Sequence, residues 1–385
     1  MNRRVFLAAS TAAGLGALAG SVHAQTESWI DPDTGHRVLQ LVPGNSKGFY
    51  FHQNCFTASG DKMVYRAPTS IGPQAFVWDF RTNRSYQLTR DPGGANSEIV
   101  GPRGRTFYYR NGRVIRSVQI DTLESRDICE LPGNLSGYAC ALSADEKTLA
   151  SGFIDDGAEI AALPRNEMFV RMFEAGLRNV IYTINTETGR FEEVYEEDSW
   201  LGHFQFSPTD PDTLMFCHEG PWEWLDRIWL LSVSTGKTRL VYKRKHPGEI
   251  AGHEFWAPDG KSVWFDLRNR QTGTFALAKT DLDTGETSVY PLKPEEWSVH
   301  YNIGRHASFL CGDGGGVGPW IYRFDPQPDL TMDVTKLCSI RENDYATCEP
   351  NVHVTPDGEW ALFTSNQAGE NRLYAVSTTA EDNPG

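Results

Sequence analysis

The chain has 385 residues, 39% of them hydrophobic and 12% aromatic, with 50 acidic against 36 basic side chains and a formal net charge of -14 at pH 7. A chain this acidic, without a basic block, is unsuited to nucleic acid, and an anionic substrate would need a local cationic site set against the general field. After the first two dozen residues no run approaches 18 apolar residues, so no membrane helix is expected once those residues are removed.

Residues 1–24 read as an export signal. Arg3 and Arg4 precede Val5-Phe6-Leu7 and an Ala/Gly/Leu-rich run, which ends in the small-residue cleavage pattern Val22-His23-Ala24. The adjacent arginines resemble a twin-arginine signal, which predicts a periplasmic or secreted protein whose residues 25–385 form a single domain. Next comes HRVLQLV, ending at Val42, a strand pattern with no repeat of its own.

Seven copies of one turn-bearing strand pair follow. They run from FTASGDKMVYR (56–66) through VGPRGRTFYYR (100–110), ALSADEKTLASGF (141–153), FSPTDPDTLMFCH (206–218), WAPDGKSVWFDL (256–267) and IGRHASFLCGDG (303–314) to VTPDGEWALFTSN (354–366). Further strands and polar turns such as TETG, STG and DTG fill the intervals, giving roughly 50 residues per unit, the size of a four-stranded propeller blade. The expected fold is all-β: a seven-bladed β-propeller, its ring closed by the N-terminal strand pairing with the last blade. The one helix pattern, RNEMFVRMFEAGLRN (165–179), reads as a packed or lid-like insertion in the third blade. GDGGGVG (312–318) lacks a βαβ setting and reads as a loop of close backbone approach. Seven scattered cysteines without a CxxC exclude a disulfide scaffold or zinc ribbon, while leaving room for one or two bridges.

Polar residues recur just ahead of the turns, where a blade's innermost strand faces the channel. They are His52, Gln53 and Asn54 in blade one; His203 and Gln205 in blade four, with His218, Glu219 and Arg227 on its return; His253 and Glu254 in blade five; His300 and Asn302 in blade six; and Glu349, Asn351 and His353 in blade seven. Imidazoles at one phase of several blades, with Glu and Arg beside them, suit a divalent metal site or acid/base chemistry. A strand neighbour points to the opposite face, so Glu254 is expected to be structural. Two other readings fit these residues: a non-catalytic propeller binding a sugar or protein partner, and a glycosidase using two of Glu219, Glu254 and Glu349.

Six motifs taken together, WLGH (200–203), FCHEGP (216–221), DRIW (226–229), HEFWAPDG (253–260), SVH (298–300) and TPDG (355–358), with an echo in YFHQNCF (50–56), resemble the oligogalacturonate lyase family of seven-bladed propeller polysaccharide lyases. The resemblance implies a metal-assisted β-elimination that cleaves the 1,4 linkage of oligogalacturonate or a related acidic oligosaccharide and leaves a 4,5-unsaturated end. By motif, His253 falls on the base, Arg227 on its helper and His300 on a ligand of a Mn²⁺-type ion. His203, His218, Gln53 and His52 are expected to contact the substrate. The sequence departs from the family in the last blade, where a Gln and a His-x-His pair fall on Ala346, Glu349 and Asn351, with His353 two residues nearer the turn. The metal set expected here is therefore mixed: His300, Glu349, His353 and the side-chain carbonyl of Asn351, holding a divalent ion, Mn²⁺ above others.

If residues 1–24 are a twin-arginine signal, replacing Arg3 and Arg4 together by Lys leaves the precursor inside the cell. Mass spectrometry of the exported wild-type protein then finds Gln25 at its N-terminus.

Overall fold

A computed structural model describes residues 27–133, 135, 141–315 and 317–380; the expected signal and Cys140 lie outside the described residues. The strands form seven sheets in chain order. Six have four or more strands that meander outward from the channel, and the innermost are Asn96–Val100, Ala141–Leu142, Leu201–Phe206, Glu249–Trp256, Tyr301–Ile303 and His353–Val354 for blades two to seven. Blade one differs from the four-stranded expectation. It has three strands (Lys62–Thr69, Gly72–Asp79, Arg84–Gln87), and its inner position is held by two isolated bridges, Lys47 to Arg66 and Phe56 to Met63. The stretch between these bridges folds as a turn, with the Gln53 N–H donating to the Tyr50 carbonyl at 2.8 Å, and Phe51 is completely buried.

Blade surfaces pack face to face, so middle strands are covered on both sides and read as continuous apolar runs rather than alternations. Ser262–Asn269 is buried at seven of its eight positions, whereas the outer strand Phe191–Glu197 has no buried residue. Apolar clusters therefore fill the gaps between blades, such as Trp78 with Phe107 and Tyr109, or Met215 with Ala251 and Phe265. The APDG turn closes as its sequence demands: Gly260 takes φ +69° and its N–H reaches the Ala257 carbonyl at 2.9 Å.

The ring closes as expected. Arg37–Val42 pairs antiparallel with Arg372–Ser377, the third strand of blade seven, and Glu27–Ile30 adds a further outer strand. The helix in blade three is shorter than its pattern. It spans Arg165–Ala175 and stops because Gly176 adopts the left-handed cap at φ +53°. The six described cysteines are all free thiols, so none of them bridges to another.

Val38 is 2% exposed and lies in the closing strand against the core of blade seven. Val38→Asp puts an unpaired carboxylate into that seam, a cost on the order of 3 kcal/mol. A lowered urea midpoint with far-ultraviolet dichroism unchanged below the transition is the expected result.

Candidate active site

Blades four, five and six each present a histidine at the inner strand, and each ring is held by a buried carboxylate on the returning strand or just beyond its end. His203 Nε2 lies 3.2 Å from Glu219 Oε1, His253 Nδ1 2.7 Å from Asp266 Oδ1, and His300 Nδ1 2.8 Å from Asp313 Oδ2. The second Asp313 oxygen accepts the His300 backbone N–H at 2.8 Å. With Nδ1 fixed in this way, Nε2 of His253 and of His300 has no hydrogen-bond partner among the described residues. The two rings meet edge to face, their centroids 5.1 Å apart.

The inner strands achieve this by breaking their own geometry. His203 and His253 have φ of 53° and 47°, and each sits in a bulge where pairing with the second strand loses register, between Gly202 and Gln205 and between Gly252 and Phe255. A bulky residue in the left-handed region costs about 1–3 kcal/mol and persists where its surroundings fix it; such bulges re-aim side chains. The preceding glycines make room for the partners. A Cβ on Gly252 would fall 2.9 Å from the Trp222 ring and 3.1 Å from Asp266 Oδ1, and one on Gly202 would fall 3.3 Å from Glu219 Cγ. The bulge also defeats the alternation rule for Glu254. Its fully buried carboxylate faces blade four, 3.8 Å from His203 Nδ1 and 3.9 Å from Arg227.

Arg227 is the buried centre of this group, only 1% exposed. One amino group meets Glu219 Oε1 at 3.1 Å, and the guanidinium lies over the Trp222 ring, 3.9 Å from its centroid. Trp222 donates its Nε1 hydrogen to Glu219 Oε2 at 2.9 Å and meets the His253 ring edge to face at 5.3 Å. Five buried polar atoms here have no partner: Arg227 Nε and Nη1, both Glu254 oxygens, and His203 Nδ1. Helix Arg165–Ala175 borders the same side, Phe169 against Trp200 and Phe173 against Trp224.

Environment sets the three charges apart. Burial opposes an ionised Glu219, yet Arg227 and His203 hold its carboxyl well below the usual range. Burial likewise opposes a charged His203, but Glu219 and then Glu254 raise its pKa above the usual imidazole value. For His253 burial wins over the attraction of Asp266, and its pKa is lowered. Tyr50 stands among the rings, with centroids 5.0 Å from His52, 5.3 Å from His300 and 5.7 Å from His203. Burial, with the negative charges of Glu349, Glu254 and Glu219, pushes its phenol well up.

The structure thus gathers His203, Arg227, His253 and His300 and adds Glu219, Glu254, Trp222, Asp266, Asp313 and Tyr50. Asp266 and Asp313 each lie 13 residues after their histidine, a recurrence visible in the sequence, and Asp313 is what the glycine-rich stretch contributes. His218 is on the other face of its strand, its Nε2 3.2 Å from Glu197 and its ring stacked on Trp229, so it is not in the group. His52, Gln53 and His353 line a cavity of about 420 Å³ at the turn end of the channel, together with Gln205, Phe255 and Asn302. Burial, with His203, His300 and His353 close by, holds the His52 pKa well below normal.

The four expected metal residues do not assemble. His353 has both ring nitrogens against backbone carbonyls, Asn351 at 2.9 Å and Gln53 at 3.1 Å. The Asn351 side-chain oxygen accepts the Phe51 N–H at 3.1 Å, and pulling it away would leave a buried donor unpaired at a cost of about 1–3 kcal/mol. Among the described residues, one group of three His, Cys, Asp or Glu ligand atoms lies mutually within 4.8 Å: His203, Cys217 and Glu219. That group does not suit a divalent ion either. Glu219 Oε1 already takes Arg227, His203 and the Cys217 thiol at 3.3 Å, a cation there would abut the guanidinium, and burial with the Glu219 and Glu254 charges keeps the thiol protonated.

Residues 19–281 match a family described as oligogalacturonate lyase. The oligogalacturonate lyase of Dickeya dadantii is 26% identical over 370 residues, 90% of this chain and 94% of that protein. An oligogalacturonide lyase of Pectobacterium atrosepticum is 26% identical over 376 residues, with the same coverage of 90% and 94%. An oligogalacturonate lyase solved in complex with manganese superposes with a TM-score of 0.82 at 25% identity, covering 93% of this chain and 97% of that one.

A raised folded-state pKa at His203 contributes stability that is full below about pH 6.5 and is lost as pH rises through the raised value. The depressed Glu219 contributes above about pH 4.5, and that contribution is lost as pH falls through its lowered value. Histidine ring NMR should show His203 titrating above, and His253 below, an ordinary imidazole. Glu219→Gln should lower the His203 value and cost about 3–5 kcal/mol, because Arg227 stays buried without its partner.

Proposed function

From the premise that this chain belongs to the oligogalacturonate lyase family, we propose that it cleaves the 1,4 linkage of an acidic oligosaccharide, oligogalacturonate or a close relative, by β-elimination. The observation that carries the reading is the His253–Asp266 pair: a buried imidazole, hydrogen-bonded at Nδ1 and free at Nε2, beside an arginine that shares its tryptophan.

Elimination removes the hydrogen on C5 of a uronate, next to the carboxylate, and breaks the bond from C4 to the glycosidic oxygen. The C5 proton passes to Nε2 of His253, which Asp266 keeps in the tautomer that can accept it. The lowered pKa leaves His253 unprotonated near neutral pH, the form a general base requires. The C5 electron pair forms the C4–C5 double bond, and the departing oxygen takes a proton from the Tyr50 phenol, which its surroundings keep protonated. Arg227 stabilises the charge that grows on the substrate carboxylate as C5 loses its proton. No step is assigned to a metal ion, because the donors present do not fit one. A paired-carboxylate hydrolysis would have to take its acid from elsewhere than Glu219, which Arg227 keeps ionised.

The purified protein incubated with oligogalacturonate should generate ultraviolet absorbance from an unsaturated uronate, and His253→Ala should reduce the rate on the order of 1,000-fold. A saturated reducing end, binding without cleavage, or undiminished activity in His253→Ala would each refute the assignment.

A further inference from the structure

We propose that this chain holds no resident divalent ion at its reaction centre, and that the guanidinium of Arg227 receives the substrate carboxylate where a relative was solved with manganese. The proposal rests on the β-elimination reading for its second half; its first half concerns only which donors are free.

A divalent ion of the manganese type takes several nitrogen and oxygen ligands at once. Of the four residues expected to supply them, His300, Glu349 and His353 do not bring their ligand atoms within 4.8 Å of one another. The fourth, Asn351, has its side-chain oxygen turned to the Phe51 N–H at 3.1 Å, and Glu349 belongs to no convergent group among the described residues. The free Nε2 of His253 adds a second imidazole to that of His300, and two imidazoles are too few. His203, Cys217 and Glu219 do converge, but around an oxygen that already accepts Arg227.

The unpartnered atoms point to a different ligand. Buried polar atoms without partners are rare in native proteins and call for an occupant. Here they are of both kinds: donors on Arg227 (Nε and Nη1), the two acceptor oxygens of Glu254, and His203 Nδ1, which becomes a further donor when the ring is protonated. A bare cation satisfies the acceptors and is repelled by the guanidinium. A sugar acid satisfies both, its carboxylate accepting from Arg227 and its hydroxyls donating to Glu254. Arginine is always charged in proteins, so this neutralisation needs no proton transfer. Arg227 and His253 both pack on Trp222, which sets the carboxylate receptor beside the base, as the adjacency of C6 and C5 requires.

The test uses the full mature protein, dialysed against EDTA and then into chelator-free buffer. Elemental analysis should find well under one equivalent of metal. Titration with Mn²⁺, followed by calorimetry and by the spin-resonance signal of the free ion, should show no stoichiometric site. Activity on oligogalacturonate should be the same before and after chelation, and Arg227→Lys should lower kcat/KM about 100-fold without changing the Mn²⁺ titration. One tightly held equivalent of Mn²⁺ that is lost in His300→Ala, Glu349→Ala or Glu254→Gln overturns the proposal, as does activity abolished by chelation and restored by Mn²⁺. Undiminished kcat/KM in Arg227→Lys overturns the part given to Arg227. If the wild-type protein cleaves no oligouronide, the lyase reading fails, and the Mn²⁺ titration still decides whether an ion is held.

Discussion

Every feature of the channel depends on one seam of hydrogen bonds, between Arg37–Val42 and Arg372–Ser377. A propeller left open at this point would present two sheet edges with unpaired backbone groups, and its blades could splay. Side chains reinforce the ladder. His36 Nδ1 lies 2.7 Å from the Ser377 carbonyl, and Arg372 donates to Gln40 Oε1 at 3.1 Å. Asp31, just beyond the outermost strand, accepts the Ser339 N–H of blade six at 3.0 Å. Closure fixes the radius at which the inner strands meet, and so forces polar groups from distant parts of the chain into one water-poor volume.

That crowding sets the chemistry. A buried imidazole or guanidinium is tolerated only with a partner, and blades four to six meet the demand with one carboxylate per histidine. The same residue type is then driven in opposite directions. His203, with Glu219 and Glu254 near, gains affinity for its proton, whereas His253, with one Asp in a drier setting, loses it. Two titratable groups pushed apart by their surroundings are what a proton-transfer site needs. The left-handed backbone at His203 and His253 is strain retained where function is proposed, and the glycine before each is the sequence's accommodation of it.

Most of the motifs that tie the chain to its family lie in blades four and five, and blade seven carries the departures. Glu349 and Asn351 stand where the family resemblance places two histidines, and the compensating His353 is turned onto backbone carbonyls. The residues that fall on the family's base and arginine, His253 and Arg227, are thus kept, while the positions that fall on its metal ligands in blade seven differ.

The sequence by itself determined the seven repeats, the closing strand and the common phase of His203, His253 and His300, because turns and strand periods are local and each copy restates the same pattern. It placed the helix correctly in blade three but overran its end, since the cap at Gly176 is a matter of backbone angle rather than period. It assigned blade one a full inner strand, where the chain instead turns at Tyr50–Gln53 and buries Phe51. Only the tertiary structure decided that Glu254 joins Arg227, that His218 faces Glu197, that Tyr50 stands among three imidazoles, and that His353 turns onto the Asn351 and Gln53 carbonyls. Each of these turns on a bulge that breaks alternation or on a contact between blades far apart in the chain, such as Gln53 with His353, and neither leaves a mark in a local pattern.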